Sequence, residues 1–211
     1  MGETAGNHED PPPALLSRLL RRALLWLYRA LGWKAVGTPP ADRRGVIIAA
    51  PHTSNWDFLY FLGLTDALGV KAHFMGKKEL FRWPLKRFMR DMGGVPVDRS
   101  ARGSDYVEQM IAEFARRKSF MLTVAPEGTR GAVRTWRTGF YYIALGAKVP
   151  MLCGLMDYRT KTGGLGPAIW PTGDYAADMK RVAAFYRSVT PKNPARAETD
   201  FGVLEGVADD G

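Results

Sequence analysis

Between residues 45 and 189 short apolar runs alternate with longer stretches of helical period, and this alternation constrains the fold more than any other feature of the chain. Residues 45–50, 71–75, 94–97, 119–124 and 149–158 read as buried strands. Residues 56–68, 79–92 with an interruption near Pro84, 139–147 and 174–189 read as helices. So does the segment carrying Val107, Met110, Ile111 and Phe114 on one face, with Ser104 as its cap. Strands and helices in turn predict an α/β class: a single domain over 41–189 with a largely parallel central sheet flanked by helices. Ligands are then expected at the carboxyl ends of the strands. With 211 residues, 46% of them hydrophobic, the chain can bury one full core, which excludes wholesale disorder, collagen and coiled coil.

The flanks read differently. Residues 1–13 are polar, end in three prolines, lack the apolar core of a secretory signal, and read as a disordered leader. In 14–36 Leu16, Leu20, Leu24, Leu27 and Leu31 recur at helical spacing while Arg18, Arg22 and Arg29 mark another side, a basic amphipathic helix. Its longest unbroken apolar run, 23–28, is far short of the ~20 residues a bilayer span needs. Such a helix can lie on a membrane surface, or dock on the domain with its arginines in solvent. A Gly/Pro linker follows at 37–40, and 190–211 reads as a loose tail. The formal charge is +9, and residues 14–45 and 71–90 each carry seven basic residues against one acid. An anionic partner is therefore expected: nucleic acid, a phospholipid surface or a phosphorylated substrate. No helix-turn-helix, zinc-finger or RNA-recognition signature is present, and the aromatics sit in apolar runs, so nucleic acid is set aside. The single cysteine, Cys153, allows no intramolecular disulfide and no cysteine metal cluster, and fits a reducing compartment.

Three motifs follow strand-like runs. In the first, His52-Thr53-Ser54-Asn55-Trp56-Asp57, two side chains five apart on one helix would point about 140° from each other, so His52 belongs to the loop. Ser54-x-x-Asp57 has the spacing of a capping box, which lets the carboxylate bend back toward the imidazole. A carboxylate holding one ring nitrogen leaves the other to act as a general base, although a cap beside a surface histidine has the same spacing. The second motif, Val97-Asp98-Arg99, puts a guanidinium at a strand end, suited to a phosphate or a salt bridge. The third, Glu127-Gly128-Thr129-Arg130, combines a glycine for close backbone approach with a hydroxyl and a cation; alone it would be only a turn.

In this order the motifs resemble those of the glycerolipid acyltransferases of the lysophosphatidic acid acyltransferase type. His52 to Asp57 is similar to the family's His-x4-Asp motif, Val97-Asp98-Arg99 to its second, Glu127-Gly128-Thr129-Arg130 to its third and Val149-Pro150 to its fourth. Met75-Gly76-Lys77-Lys78-Glu79-Leu80 with Pro84, and Trp136-Arg137-Thr138-Gly139, resemble the intervening segments. The resemblance implies transfer of a fatty acyl group from acyl-CoA or acyl-carrier protein to a lysophospholipid hydroxyl, above all 1-acyl-sn-glycerol-3-phosphate, giving phosphatidic acid. It implies His52 as base and Asp57 as its support, with Lys77, Arg99, Glu127, Gly128, Thr129 and Arg130 around the acceptor phosphate. No metal or cofactor is implied. The expected location is peripheral, on the cytoplasmic side of a membrane, without a transmembrane span.

Two departures bear on substrate choice: Cys153-Gly154 follows Val149-Pro150 where the family often has a second proline, and Lys86-Arg87 follow Pro84 where glycine is frequent. Glycerol-3-phosphate, a lyso-ornithine lipid or a glycolipid are alternative acceptors, and a non-catalytic lipid-binding relative is the alternative to an enzyme. A covalent route finds no support: Cys153 lies in an apolar run, Ser54 is placed as a cap, and His8 and His73 lie away from the motif.

Overall fold

The computed structural model describes residues 12–97, 103–128 and 136–197. Seven strands form one sheet in the order β1-β7-β6-β2-β5-β3-β4. They are β1 (Lys34–Val36), β2 (Arg44–Ala49), β3 (Ala72–Lys77), β4 (Gly94–Val97), β5 (Phe120–Val124), β6 (Met151–Asp157) and β7 (Thr162–Ile169). Neighbouring strands are parallel except β6 and β7, so β1 and β7 run against the other five. The helices are α1 (Leu15–Ala30), α2 (Trp56–Ala67), α3 (Lys86–Asp91), α4 (Gly103–Arg116), α5 (Gly139–Ala147) and α6 (Tyr175–Tyr186), with a 3-10 turn at Lys78–Phe81 before α3.

Side chains alternate across the sheet, as extended backbone requires. Val46, Ile48, Leu122, Met151 and Cys153 face one layer with Phe114 of α4, Phe140 and Ile143 of α5 and Met179 and Tyr186 of α6. Ile47, Met121 and Leu152 face the other with Phe61 of α2. Helix α2 is apolar all round because it is covered twice, by the sheet beneath and by α1 above. The two helices approach so closely that a Cβ on Gly63 would fall 2.1 Å from the ring of Tyr28.

The predicted α/β sheet is the one observed, with two strands that sequence periodicity did not reveal. Strand β1 lies within the stretch expected to be helical, because α1 stops at Ala30 and Gly32 turns the chain at φ +70°. Strand β7 contains Gly163, Gly164, Gly166 and Pro167, residues that normally argue against a strand. Here the glycines permit contact: a Cβ on Gly164 would sit 2.0 Å from the carbonyl oxygen of Val36 in β1. The helix expected over 79–92 divides around Pro84 into the 3-10 turn and α3. Ser104 is in α4, but its side chain lies outside the described ones.

Helix α1 follows the expected leucine stripe only in its second half, where Leu24, Leu27 and Leu31 pack against the cluster of Tyr28, Leu59, Tyr60 and Leu64. It buries Ser17, Leu25 and Tyr28, while Leu15, Leu16, Leu19, Leu20 and Trp26 are exposed together with Arg18, Arg22 and Arg29. Arg21 and Arg29 pair with Asp66 of α2, and the backbone N–H of Ala14 donates to Asp91 of α3. Of the expected tail, 190–197 are described and touch the domain: Asn193 donates from its backbone N–H to Thr53 Oγ1 and from Nδ2 to the Thr53 carbonyl.

Candidate active site

Because β6, β2, β5, β3 and β4 are parallel neighbours, their carboxyl ends lie along one edge. The residues that follow them are therefore brought side by side: Tyr158 after β6, His52 after β2, Glu127 after β5, with Lys77 ending β3 and Val97 ending β4. The side chain of Lys77 and all of Arg99, Thr129 and Arg130 lie outside the described part of the structure.

The loop after β2 begins with a cis Ala50-Pro51 bond and delivers His52 to the first turn of α2. His52 Nδ1 is 2.9 Å from Asp57 Oδ2; the imidazole is 23% exposed and the carboxylate 5%. The expected cap is displaced: the N-cap of α2 is Asn55, whose side chain makes no cap bond, and Ser54 lies one residue before it. The Ser54 N–H donates to Asp57 Oδ2 at 3.1 Å, and Ser54 Oγ accepts from the N–H of Trp56 at 3.2 Å, one residue earlier than in the standard box. A carboxylate in the first turn of α2 is also favoured by the helix dipole. Its neighbour at Nδ1 sets the ring proton there and leaves Nε2 free to accept one.

Glu127 reaches this loop from the adjacent strand: the backbone N–H of His52 donates to Glu127 Oε2 at 2.9 Å, and the Glu127 residue is 5% exposed. Gly128 closes the turn, its N–H donating to the Ala125 carbonyl at 3.1 Å with φ at +66°. A Cβ there would come 3.1 Å from Arg137 Nε, so glycine keeps this guanidinium against the turn backbone. The structure thus joins His52, Asp57, Glu127 and Gly128.

Two contributors went unnoticed in the sequence. Tyr158 donates its hydroxyl to Asp57 Oδ1 at 2.5 Å, and burial followed by the Asp57 charge pushes its pKa far above the usual phenol range. Lys192 lies 4.8 Å above the ring of Trp56, next to Asn193 on Thr53. The only sequence signal for Tyr158 was its place at the end of the strand-like run 149–158.

From the dyad a narrow apolar cavity of about 60 Å³ runs beneath α2. Asp57, Phe61, Leu64 and Thr65 line it from α2 at helical spacing, Leu68 from the residue that caps its end, and Ile47, Leu155 and Leu165 from the sheet. At 1.5 Å per residue the stripe extends about 16 Å from Asp57 to Leu68. Thr65 adds little polarity, since its hydroxyl is spent on the Phe61 carbonyl at 2.8 Å. Cys153 is fully buried, with its thiol pushed up to about 12 by burial, and is no nucleophile.

The fold is similar to the crystal structure of PlsC, the 1-acyl-sn-glycerophosphate (LPA) acyltransferase of Thermotoga maritima. The TM-score is 0.56 over 81% of this chain and 76% of that one, at 21% identity. No curated protein matches the chain. The dyad, Gly128 and the strands that present them all fall within residues 35–155, the segment that matches the Acyltransferase family, and the chain therefore belongs to that family.

Proposed function

We propose that the protein transfers a fatty acyl group from an acyl thioester, acyl-CoA or acyl-carrier protein, to the free hydroxyl of a lysophospholipid, with 1-acyl-sn-glycerol-3-phosphate as acceptor and phosphatidic acid as product. The observation that carries this reading is the His52–Asp57 pair at one end of an apolar cavity. His52 Nε2 takes the proton of the acceptor hydroxyl while Asp57 supports the imidazolium that forms. The acceptor oxygen bonds to the thioester carbonyl carbon, the tetrahedral adduct collapses, the C–S bond breaks, and the thiolate leaves with the proton returned by His52. The apolar stripe beneath α2 suits the first methylenes of an acyl chain, and the acceptor phosphate is assigned to Lys77, Arg99 and Arg130, in a pocket shaped by Glu127, Gly128 and Thr129. The likeness to PlsC supports this choice of acceptor.

The same reading places the protein on a membrane surface, where both its acceptor and its product reside. No helix among the described residues is long and apolar enough to cross a bilayer. Contact is assigned instead to the exposed Leu15, Leu16, Leu19, Leu20 and Trp26 of α1 and to Trp83, which is 91% exposed. Arg18, Arg22, Lys86 and Arg90 line the groove between these segments and suit anionic lipid.

The test is thiol release from palmitoyl-CoA or palmitoyl-carrier protein with lysophosphatidic acid, glycerol-3-phosphate, a lyso-ornithine lipid and a glycolipid as acceptors. Release should be greatest with lysophosphatidic acid and should fall about 10²–10⁴-fold in His52→Ala. Equal release by both proteins removes the base assignment. Absence of release throughout the panel favours a lipid-binding role.

A further inference from the structure

We propose that Tyr158 is a positioning residue of this site: its hydroxyl, donating to Asp57 Oδ1, holds the plane of the carboxylate that orients His52 and thereby sets the basicity of the imidazole. The proposal rests on the His52–Asp57 reading given above.

Asp57 receives three donors. Oδ2 accepts from His52 Nδ1 at 2.9 Å and from the Ser54 N–H at 3.1 Å, and Oδ1 accepts from the Tyr158 hydroxyl at 2.5 Å. A carboxylate turns easily about its terminal torsion, but donors on both oxygens make rotation costly in a side chain that is only 5% exposed. The donors differ in what they anchor. His52 and Ser54 lie in the loop that leads directly into the first turn of α2 carrying Asp57, whereas Tyr158 is 101 positions away and ties the carboxylate to the end of β6.

Tyr158 is itself held. Its ring meets Trp33 edge-on at 5.0 Å and Tyr60 at 5.6 Å, Trp33 stacks on Tyr60 at 4.0 Å, and its backbone N–H donates to the Thr190 carbonyl at 2.9 Å. Burial and the nearby carboxylate keep the phenol protonated throughout the neutral range, so it remains a donor whenever His52 acts as a base. A short bond to a charged oxygen takes up part of the negative charge of the carboxylate, and its removal would leave more of that charge facing the imidazole.

Among the described residues, the ionisable groups facing this dyad are Tyr158 after β6, Tyr60 on α2, and Glu127 after β5, whose carboxylate accepts the His52 N–H. Lys192 approaches from the C-terminal segment over Trp56. Of these, Tyr158 is the group hydrogen-bonded to Asp57.

Tyr158→Phe keeps the ring and removes the donor, and Tyr60→Phe removes a hydroxyl of the same aromatic cluster that has no bond to Asp57. Both are compared with the full-length wild type in two measurements. One is the pH profile of palmitoyl-CoA thiol release with lysophosphatidic acid. The other is NMR titration of the His52 imidazole without substrate, assigned with His52→Ala. In Tyr158→Phe, kcat is expected to fall about 10- to 100-fold, the loss of a hydrogen bond to a charged group. KM should stay within about twofold. The acid limb of the profile and the His52 titration should move together to higher pH, while Tyr60→Phe keeps the wild-type values. Wild-type kcat and an unmoved His52 titration in Tyr158→Phe overturn the proposal, even if thermal stability drops. If wild type releases no thiol, the catalytic reading fails, and the NMR titration still decides whether Tyr158 governs the dyad.

Discussion

The backbone N–H of His52 donates to the carboxylate of Glu127, 75 positions later in the chain, at 2.9 Å, and this bond fastens the loop after β2 to the turn after β5. Glu127 thus holds the backbone of His52, as Asp57 holds its ring. Glu127→Ala should lower kcat about tenfold or more, the typical loss when a bond to a charged acceptor is removed. Glu127→Gln, which keeps an acceptor oxygen, should lose less. Steady-state kinetics of the two variants check this order, and equal activity of Glu127→Ala and wild type would contradict it.

Acyl-chain length is expected to be read at the far end of the cavity, where Leu68 closes the α2 stripe. Leu68→Phe shortens the available space by roughly one ring. Its kcat/KM for palmitoyl-CoA relative to decanoyl-CoA should fall about tenfold, the scale on which a hydrophobic pocket discriminates one or two methylenes. Competition between the two donors measures the ratio, and an unchanged ratio places the chain elsewhere.

Membrane contact through α1 has its own readout. Wild type should float with vesicles containing anionic lipid more than with neutral ones, and less so in high salt, because each well-placed Arg or Lys contributes ~1 kcal/mol near an anionic surface. Leu16→Ser with Leu20→Ser changes exposed side chains, so the thermal midpoint should hold while flotation drops. Undiminished flotation of this pair removes α1 as the contact.

The buried hydroxyl of Tyr186 on α6 donates to two carbonyls at once, Ile48 of β2 at 2.7 Å and Gly154 of β6 at 2.9 Å. Both carbonyls belong to buried residues. Tyr186→Phe should cost about 1–3 kcal/mol. In a domain of this size that lowers Tm by roughly 2–4 °C per kcal/mol, measurable by calorimetry.

Much of this was legible beforehand. Strands such as β2 and β5 announce themselves because central parallel strands are buried on both faces and read as unbroken apolar runs. The His52–Asp57 pair was legible because a loop histidine and a first-turn carboxylate are near in sequence, and local capping geometry suffices to join them. Strand β7 was not legible, since its glycines serve contacts with β1 that exist only after folding. The outward face of α1 was hidden for a related reason. A leucine stripe predicts that a helix has an apolar side, and which residues it buries depends on the shape of α2 and α3 beneath it.

The order of apolar runs and the spacing of the first motif therefore determined, from sequence alone, an α/β sheet with a histidine and its paired carboxylate at a strand end, because both follow from local periodicity and the short spacing of the pair. Tertiary structure decided that Glu127 holds the backbone of His52, that Tyr158 meets Asp57, and that α2 roofs a cavity leading from the pair. Those contacts join residues about 75 to 100 positions apart, and only the order in which parallel strands lie side by side brings their ends together.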